Sequence, residues 1–262
     1  MRALYTASTG MAAQEMNVEV ISNNIANMRT TGFKRQRAEF QDLLYQQLRR
    51  VGASSSDAGT VLPTGVDIGS GVKLVATPRV MSQGTVFPTE KTYDVAIRGE
   101  GYFKIELPDG TDAYTRDGSF EIDPNGQLVT ADGYTISPGI TVPNNALSVT
   151  ISPVGEVQAT IAGQTAPQNL GQLQLARFVN KSGLEAKGDN MFLETEASGA
   201  PLEDVPGAEG FGTLLQGYLE QANVNAVTEI SDLIAAQRAY EMNSKVVSSA
   251  DQMLQNTSQM LR

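Results

Sequence analysis

The sequence predicts an α+β protein: long N- and C-terminal helices pairing as a coiled-coil-like core, with an inserted, mainly antiparallel β-domain. Three observations carry this. Leu4, Met11, Val18 and Ile25 fall seven apart, with Ala7, Gln14, Ile21 and Met28 three residues after each, the a/d spacing of a coiled-coil seam. Ala226, Leu233, Tyr240, Val247, Leu254 and Leu261 repeat the spacing at the other end, with Ala236, Asn243, Ala250 and Thr257 as the companion row. Between the two seams the apolar period drops to two, and turn signals recur.

In chain order, the first helix is expected from about Arg2 to Met28, where Asn27 and Gly32 can take the left-handed conformation that ends a helix. The turn at 27–34 should set the angle at which the chain leaves the seam. Phe40, Leu43, Leu44 and Leu48 keep helical spacing and predict a second, short helix near Gln36 to Leu48, completing an N-terminal helical segment over residues 1–50. Residues 51–71 hold five glycines, Ser54-Ser55-Ser56 and Pro63, the composition of an extended arm or loop.

Residues 72–210 form the expected β-domain. Val72 to Ala76, Tyr93 to Ile97 and Tyr102 to Ile105 read as strands. Further strands are expected at Tyr134 to Ile140, Leu147 to Ile151, Gln172 to Val179 and Met191 to Leu193. Pro108-Asp109-Gly110, Asp117-Gly118, Asp123-Pro124-Asn125-Gly126 and Asp132-Gly133 are hairpin signals. The Gly/Pro-rich acidic stretch Ser198 to Gly212 leads into a C-terminal helical segment over 211–262, with its helix expected from about Thr213.

Composition removes whole classes of function. The 262 residues include no Cys and no His, so disulfides, thiolate metal sites, cysteine nucleophiles and the commonest general base are excluded. Net charge is -10, and it is uneven. Residues 1–50 carry 7 basic and 4 acidic groups, 51–210 carry 9 and 20, and 211–262 carry 3 and 5. An acidic middle argues against nucleic acid as a partner. Arg29, Lys34, Arg35 and Arg37 form the one basic cluster, and such clusters are for the most part solvated surface or intersubunit ion pairs. No apolar run is long enough to span a membrane, which takes about 20 residues, and the N-terminus lacks the apolar stretch of a cleaved secretory signal. Direct membrane insertion is therefore not expected.

Catalytic and metal readings are thin. Asp94, Glu100, Glu106, Asp112 and Asp117 could supply a carboxylate pair for glycan hydrolysis, but the chain has no Trp to build a sugar platform. Lys181 and Ser182 are adjacent rather than spaced as a Ser-x-x-Lys pair. Asp123 and Asn125 alternate once, without the glutamate that closes a calcium loop. No catalytic residue, metal or cofactor is expected. A calcium-stiffened adhesin is a more distant alternative.

Two motifs are more specific. Ala26-Asn27-Met28-Arg29-Thr30-Thr31-Gly32-Phe33-Lys34, preceded by Ser22-Asn23-Asn24, resembles the N-terminal signature of bacterial flagellar rod and hook proteins. Gln237-Arg238-Ala239-Tyr240-Glu241-Met242-Asn243-Ser244-Lys245 is similar to that family's C-terminal signature. Ala113 to Phe120 and Gly126 to Thr130 extend the resemblance through the middle. Its motif positions here are Ala26, Asn27, Thr30, Gly32, Phe33, Lys34, Gln237, Arg238, Tyr240 and Asn243. The length and the Gly/Ser stretch are nearer those of rod subunits next to the hook than of the hook protein. Proximal rod subunits share both signatures.

The resemblance implies a structural subunit that stacks helically with its own copies, terminal helices inside and β-domains outside, into a drive shaft carrying torque. Leu4, Met11, Val18, Ile21, Ile25, Leu233, Tyr240, Val247 and Leu254 would form the assembly core. It implies export through the flagellar apparatus without a cleaved signal, and a location in the basal body from periplasm to outer membrane. Implied partners are proximal rod proteins, hook protein, the surrounding P and L ring proteins and a rod cap.

Overall fold

The structure, a computed structural model, describes residues 2–52, 64–164 and 166–260. The chain divides into two units. One holds residues 1–25, 36–78 and 225–262; the other holds 26–35 and 79–224. The centre of the 51–71 stretch and Leu261 of the second seam lie outside the described residues.

The first unit is built on two helices, α1 (Arg2–Ala26) and α2 (Ala226–Met260). α1 stops short of Met28, and the next residues form the turn. Two contacts fix how the helices run. The Asn24 side chain donates to Glu229 Oε2 at 3.1 Å, and a Cβ at Gly10 would lie 2.9 Å from the Asn243 amide. These contacts are 14 residues apart on each helix in opposite order, so the helices are antiparallel. Small residues allow the approach: Ala7 and Ala13 on α1 are buried, as are Ala236 and Ala250 on α2. α2 is the longer, 35 residues against 25. Its last ten described residues, 251–260, are all exposed.

α2 is capped by Asn225, the residue before it, whose side-chain oxygen accepts from the backbone N–H groups of Val227 and Thr228. This satisfies two of the donors that a helix start leaves open. The expected start near Thr213 is corrected. Thr213–Gln216 and Tyr218–Glu220 are strands of the second unit, pairing with Val95–Arg98 and Val86–Pro88. Gly217, at a φ of 74°, separates them.

The expected second helix near Gln36 to Leu48 is also corrected. That stretch forms strands Glu39–Asp42 and Tyr45–Arg49, paired antiparallel with Val72–Ala76 and Val66–Gly69. Local spacing fitted a helix, but the backbone finds its partners 17 to 37 residues away, which a local period does not register. Every residue of the Tyr45–Arg49 and Val66–Gly69 ribbon is exposed.

The second unit is a β-fold. Its largest sheet runs, in spatial order, Glu185–Gly188, Met191–Leu193, Asp112–Thr115, Tyr102–Glu106, Thr135–Ile136, Leu128–Thr130 and Phe120–Ile122. Leu175–Arg177 also pairs with Tyr102–Glu106, and Leu202–Asp204 pairs with Leu175–Arg177. All of these pairings are antiparallel. A second sheet, Ala146–Ile151, Glu156–Ile161 and Gln168–Gln172, packs on it. The shared core includes Val95, Phe103, Phe120, Leu128, Val149, Val157, Leu175 and Leu214. Alternate residues of strands facing each other across a core must be apolar, and the sequence meets that rule.

Three of the four turn signals act as turns. Gly110, Gly126 and Gly133 take positive φ, and the carboxylates of Asp109 and Asp123 accept N–H groups two residues on. Gly118 does not. Its conformation is ordinary, but a Cβ there would lie 1.8 Å from the Val95 carbonyl oxygen. That glycine serves close packing rather than a hairpin.

Tyr102 and Tyr114 lie in a separate aromatic cluster with Phe178 and Phe192. Burial pushes both phenols up to about 12. Because the folded values lie above the unfolded one, the stability linked to these groups is complete below about 10. It is lost as pH rises through about 12. Ultraviolet titration of the eight tyrosines should therefore show two phenolates arriving late, together with alkaline unfolding. Eight phenols titrating together near 10, in a chain still folded by circular dichroism, would contradict the buried placement.

Candidate functional site

The N-terminal motif closes on a buried ionic cluster in the second unit. Glu220, on the strand Tyr218–Glu220, is 1% exposed. Its Oε1 accepts from Lys34 Nζ at 2.6 Å and from the Gly84 N–H at 2.8 Å. Its Oε2 accepts from Arg116 Nε at 3.0 Å and Nη2 at 2.8 Å. Lys34 Nζ also donates to the Ser82 carbonyl, and Arg116 Nη1 donates to the carbonyls of Gly99 and Gly101. The cluster thus joins the residues just after α1, the middle of the β-fold and the strand just before α2.

One carboxylate faces two cations, and the electrostatics follow from that imbalance. Burial pulls the Glu220 carboxyl up, but Arg116 and Lys34 outweigh it and hold the group below its ordinary value. Burial lowers Lys34, and Glu220 only partly offsets this because Arg116 pushes the same way. Lys34 belongs to the basic cluster that the sequence assigns to solvated surface or intersubunit ion pairs. For this residue the assignment is corrected. Arg37 does lie at the surface, paired with Glu39.

The rest of the motif supports the cluster. Gly32 donates its N–H to the Glu220 backbone oxygen. It takes a φ of +70°, and a Cβ would stand 2.8 Å from the Asp117 nitrogen. Glycine is therefore required there twice over, by conformation and by space. Thr30 Oγ1 donates to Asn27 Oδ1 and closes the turn. Asn190 donates to the Thr31 carbonyl, and the Asn223 carboxamide bridges the Arg35 N–H to the Val80 and Ser82 carbonyls. Ala26 is exposed and Phe33 half-buried. In the first unit, Asn24 bonds both the Gln36 N–H and its carbonyl.

The C-terminal motif lies along α2. Asn243 faces Gly10, whereas Gln237, Arg238 and Tyr240 are exposed. Of the assembly-core residues, Ile21 is buried, and Leu4, Met11, Val18, Ile25, Leu233 and Val247 are half-buried. Tyr240 and Leu254 are exposed.

The carboxylates weighed for hydrolysis do not form a site. Asp94 is buried with its Oδ1 unpaired, Asp117 is half-buried with Oδ1 accepting from the Ser119 N–H and hydroxyl, and Glu106 is exposed at a strand end. Asp112 pairs with Lys104, and Glu100 with Lys181. Among the described residues no group of three acidic side chains could hold a metal ion.

Comparison with known proteins gives the family. Residues 4–34 match the family described as flagella basal body rod protein, 96–159 match flagellar hook protein FlgE/F/G D1 domain, and 215–260 match flagellar basal body rod FlgEFG protein C-terminal. Flagellar basal-body rod protein FlgG of Caulobacter vibrioides is 60% identical over 260 residues, 99% of each chain. The protein of that name from Agrobacterium fabrum is 49% identical over 262 residues, the whole of both chains. That from Bacillus subtilis is 37% identical over 97% of each. The chain belongs to the flagellar basal-body rod protein family. It is a structural subunit of the distal rod, not an enzyme.

Sequence reasoning missed Glu220 as the hub of this rod protein's cluster. The signal available was modest: one carboxylate in the apolar run Tyr218-Leu219-Glu220, where an unpaired charge would be too costly to bury. Removing it should be severe. Glu220→Ala strands two buried cations and should cost about 3 to 5 kcal/mol in denaturant unfolding. Lys34→Met keeps the Arg116 and Gly84 bonds to Glu220 and leaves the Ser82 carbonyl its Asn223 donor, so it should cost less, about 1 to 3 kcal/mol for the lost charged hydrogen bond. Equal costs would deny Glu220 its central place. The wild-type chain should also lose stability as pH falls below the ordinary carboxylate range of about 4, because Glu220 is depressed in the folded state. In Glu220→Gln that component of the acid loss should be absent.

Proposed function

We propose that the chain works by assembling, with its own copies, into a rigid helical shaft that transmits torque to the hook. Laterally packed terminal helices would form its inner wall and the second unit its outer wall. The observation that carries this is a second apolar face on each helix. With α1 and α2 already in contact, α2 still presents Val227, Ile230, Ile234, Met242, Val246 and Met253 to solvent, and α1 presents Tyr5 and Met16. An apolar surface of that extent calls for a partner, and a repeated heterologous contact whose rotation does not close builds a filament.

Leu4, Met11, Val18, Ile21, Ile25, Leu233, Tyr240, Val247 and Leu254 are the residues we assign to this core. The helices of the first unit supply it, and the second unit, 26–35 and 79–224, would form the outer domain. The 51–71 stretch, with the exposed ribbon that its residues 66–69 form with Tyr45–Arg49, would wedge between neighbours, since a lone two-stranded ribbon is marginal in water. By family resemblance the shaft runs from periplasm to outer membrane within the basal body. It would join proximal rod proteins to hook protein inside the P and L rings, with a rod cap at its growing end, after export without a cleaved signal.

Electron microscopy of the concentrated full chain tests the reading. Straight rods are expected from the wild-type protein. Ile230→Asp should retain the helical circular dichroism of the parent and form no rods, because this side chain faces outward in the single chain. Rods forming as readily from Ile230→Asp would show that the outer helix face does not carry assembly.

A further inference from the structure

The second unit contains an open groove of about 580 Å3, lined by residues of the turn after α1, one strand and the segment before α2. Met28, Phe87, Ala222 and Val224 make its apolar surface, and Arg29 is the one charged residue among those lining it. It would suit an apolar side chain accompanied by a carboxylate.

Among the described residues, one of the most exposed apolar side chains meets that description. Five large apolar side chains among the described residues are more than 70% exposed: Leu44, Leu147, Val179, Val227 and Met260. Leu147 has no charged residue within two positions, while Val179 and Met260 have cations. The carboxylate near Val227 is Glu229, which is buried and occupied by Asn24. Leu44, 88% exposed, has Asp42 two residues before it, also exposed. It sits in the two-residue connection between the strands Glu39–Asp42 and Tyr45–Arg49, where paired backbone on both sides holds the protruding side chain in place. A hydrogen bond with Asp42 raises the Tyr45 phenol, which ties that carboxylate to the base of the connection.

We propose that Leu44 of one subunit seats in the Met28–Phe87–Val224 groove of a second copy, with Asp42 facing Arg29. The proposal rests on the polymer reading and names one of its contacts. A knob of one subunit entering a socket elsewhere on the next is heterologous, so it propagates rather than closing into a dimer. Burying a leucine in this way should lower the concentration needed for assembly about tenfold or more.

The absence of native cysteine gives a clean test. Full-length Leu44→Cys and Gln221→Cys variants, the latter at the groove rim, are mixed, assembled and oxidised under mild conditions. A species of twice the subunit mass that requires both variants supports the contact, since a disulfide demands Cα atoms within about 7 Å. Rods that form without this species overturn the contact and leave the polymer reading standing. A Leu44→Cys/Gln221→Cys double variant that closes within single chains places the contact inside one copy, and overturns it also. Should no rods form under any condition, the polymer reading falls and takes the contact with it. As an independent check, Arg29→Glu should raise the assembly concentration about tenfold, and adding Asp42→Arg should restore it. Failure of that rescue counts against the pairing.

Discussion

A buried carboxylate with four donors organises the second unit. Glu220 could not remain ionised at 1% exposure without Lys34, Arg116 and the Gly84 N–H, and those groups come from three separated parts of the chain. The cost of burying charge is repaid only when geometry is good and every remaining polar atom is met. Here the carbonyls of Ser82, Gly99 and Gly101 take the surplus N–H groups. The arrangement is specific in a way that apolar packing is not. A shifted register at the 26–35 turn would strand a charge, whereas a shifted leucine would merely pack less well.

The first unit follows the opposite logic. Its helices meet through alanine, glycine and a few polar contacts, and much of its apolar surface remains on the outside. Helices in proteins draw most of their stability from packing rather than propensity, so helices with so little surface buried have stability left to gain from neighbours. The family places this chain in a polymer, and a subunit that is incomplete alone is suited to that setting. The rod is then made from one unit with a finished core and one whose remaining surface neighbours can cover.

The legible parts of the fold were those written in local spacing. Heptads gave both helices, and alternation with Asp-Gly and Asn-Gly turns gave the β-domain. What failed depended on distant partners. Phe40, Leu43, Leu44 and Leu48 match a helix, yet the backbone on either side of Leu43-Leu44 is claimed by Val72–Ala76 and by Val66–Gly69 at the end of the 51–71 stretch. Thr213–Glu220 was lost to the helix prediction because Val86–Pro88 and Val95–Arg98 compete for it. At the site, the motif around Gly32 and Lys34 was visible as a family resemblance, but its meaning was not. Lys34 reads as one more surface cation until Glu220, 186 residues away, is placed beside it.

That separation has a mechanical consequence. The two segments of the second unit, 26–35 and 79–224, are joined by the same ion pair, so Lys34 and Glu220 act as a non-covalent staple across 186 residues of a chain that has no cysteine. Tension between the two ends of this loop would be shared by the staple, the Gly32–Glu220 backbone bond and the Arg35–Asn223 bond before it reached the strands inside the loop. In a shaft of the kind proposed, these contacts would be loaded before the strands that lie between them in the sequence.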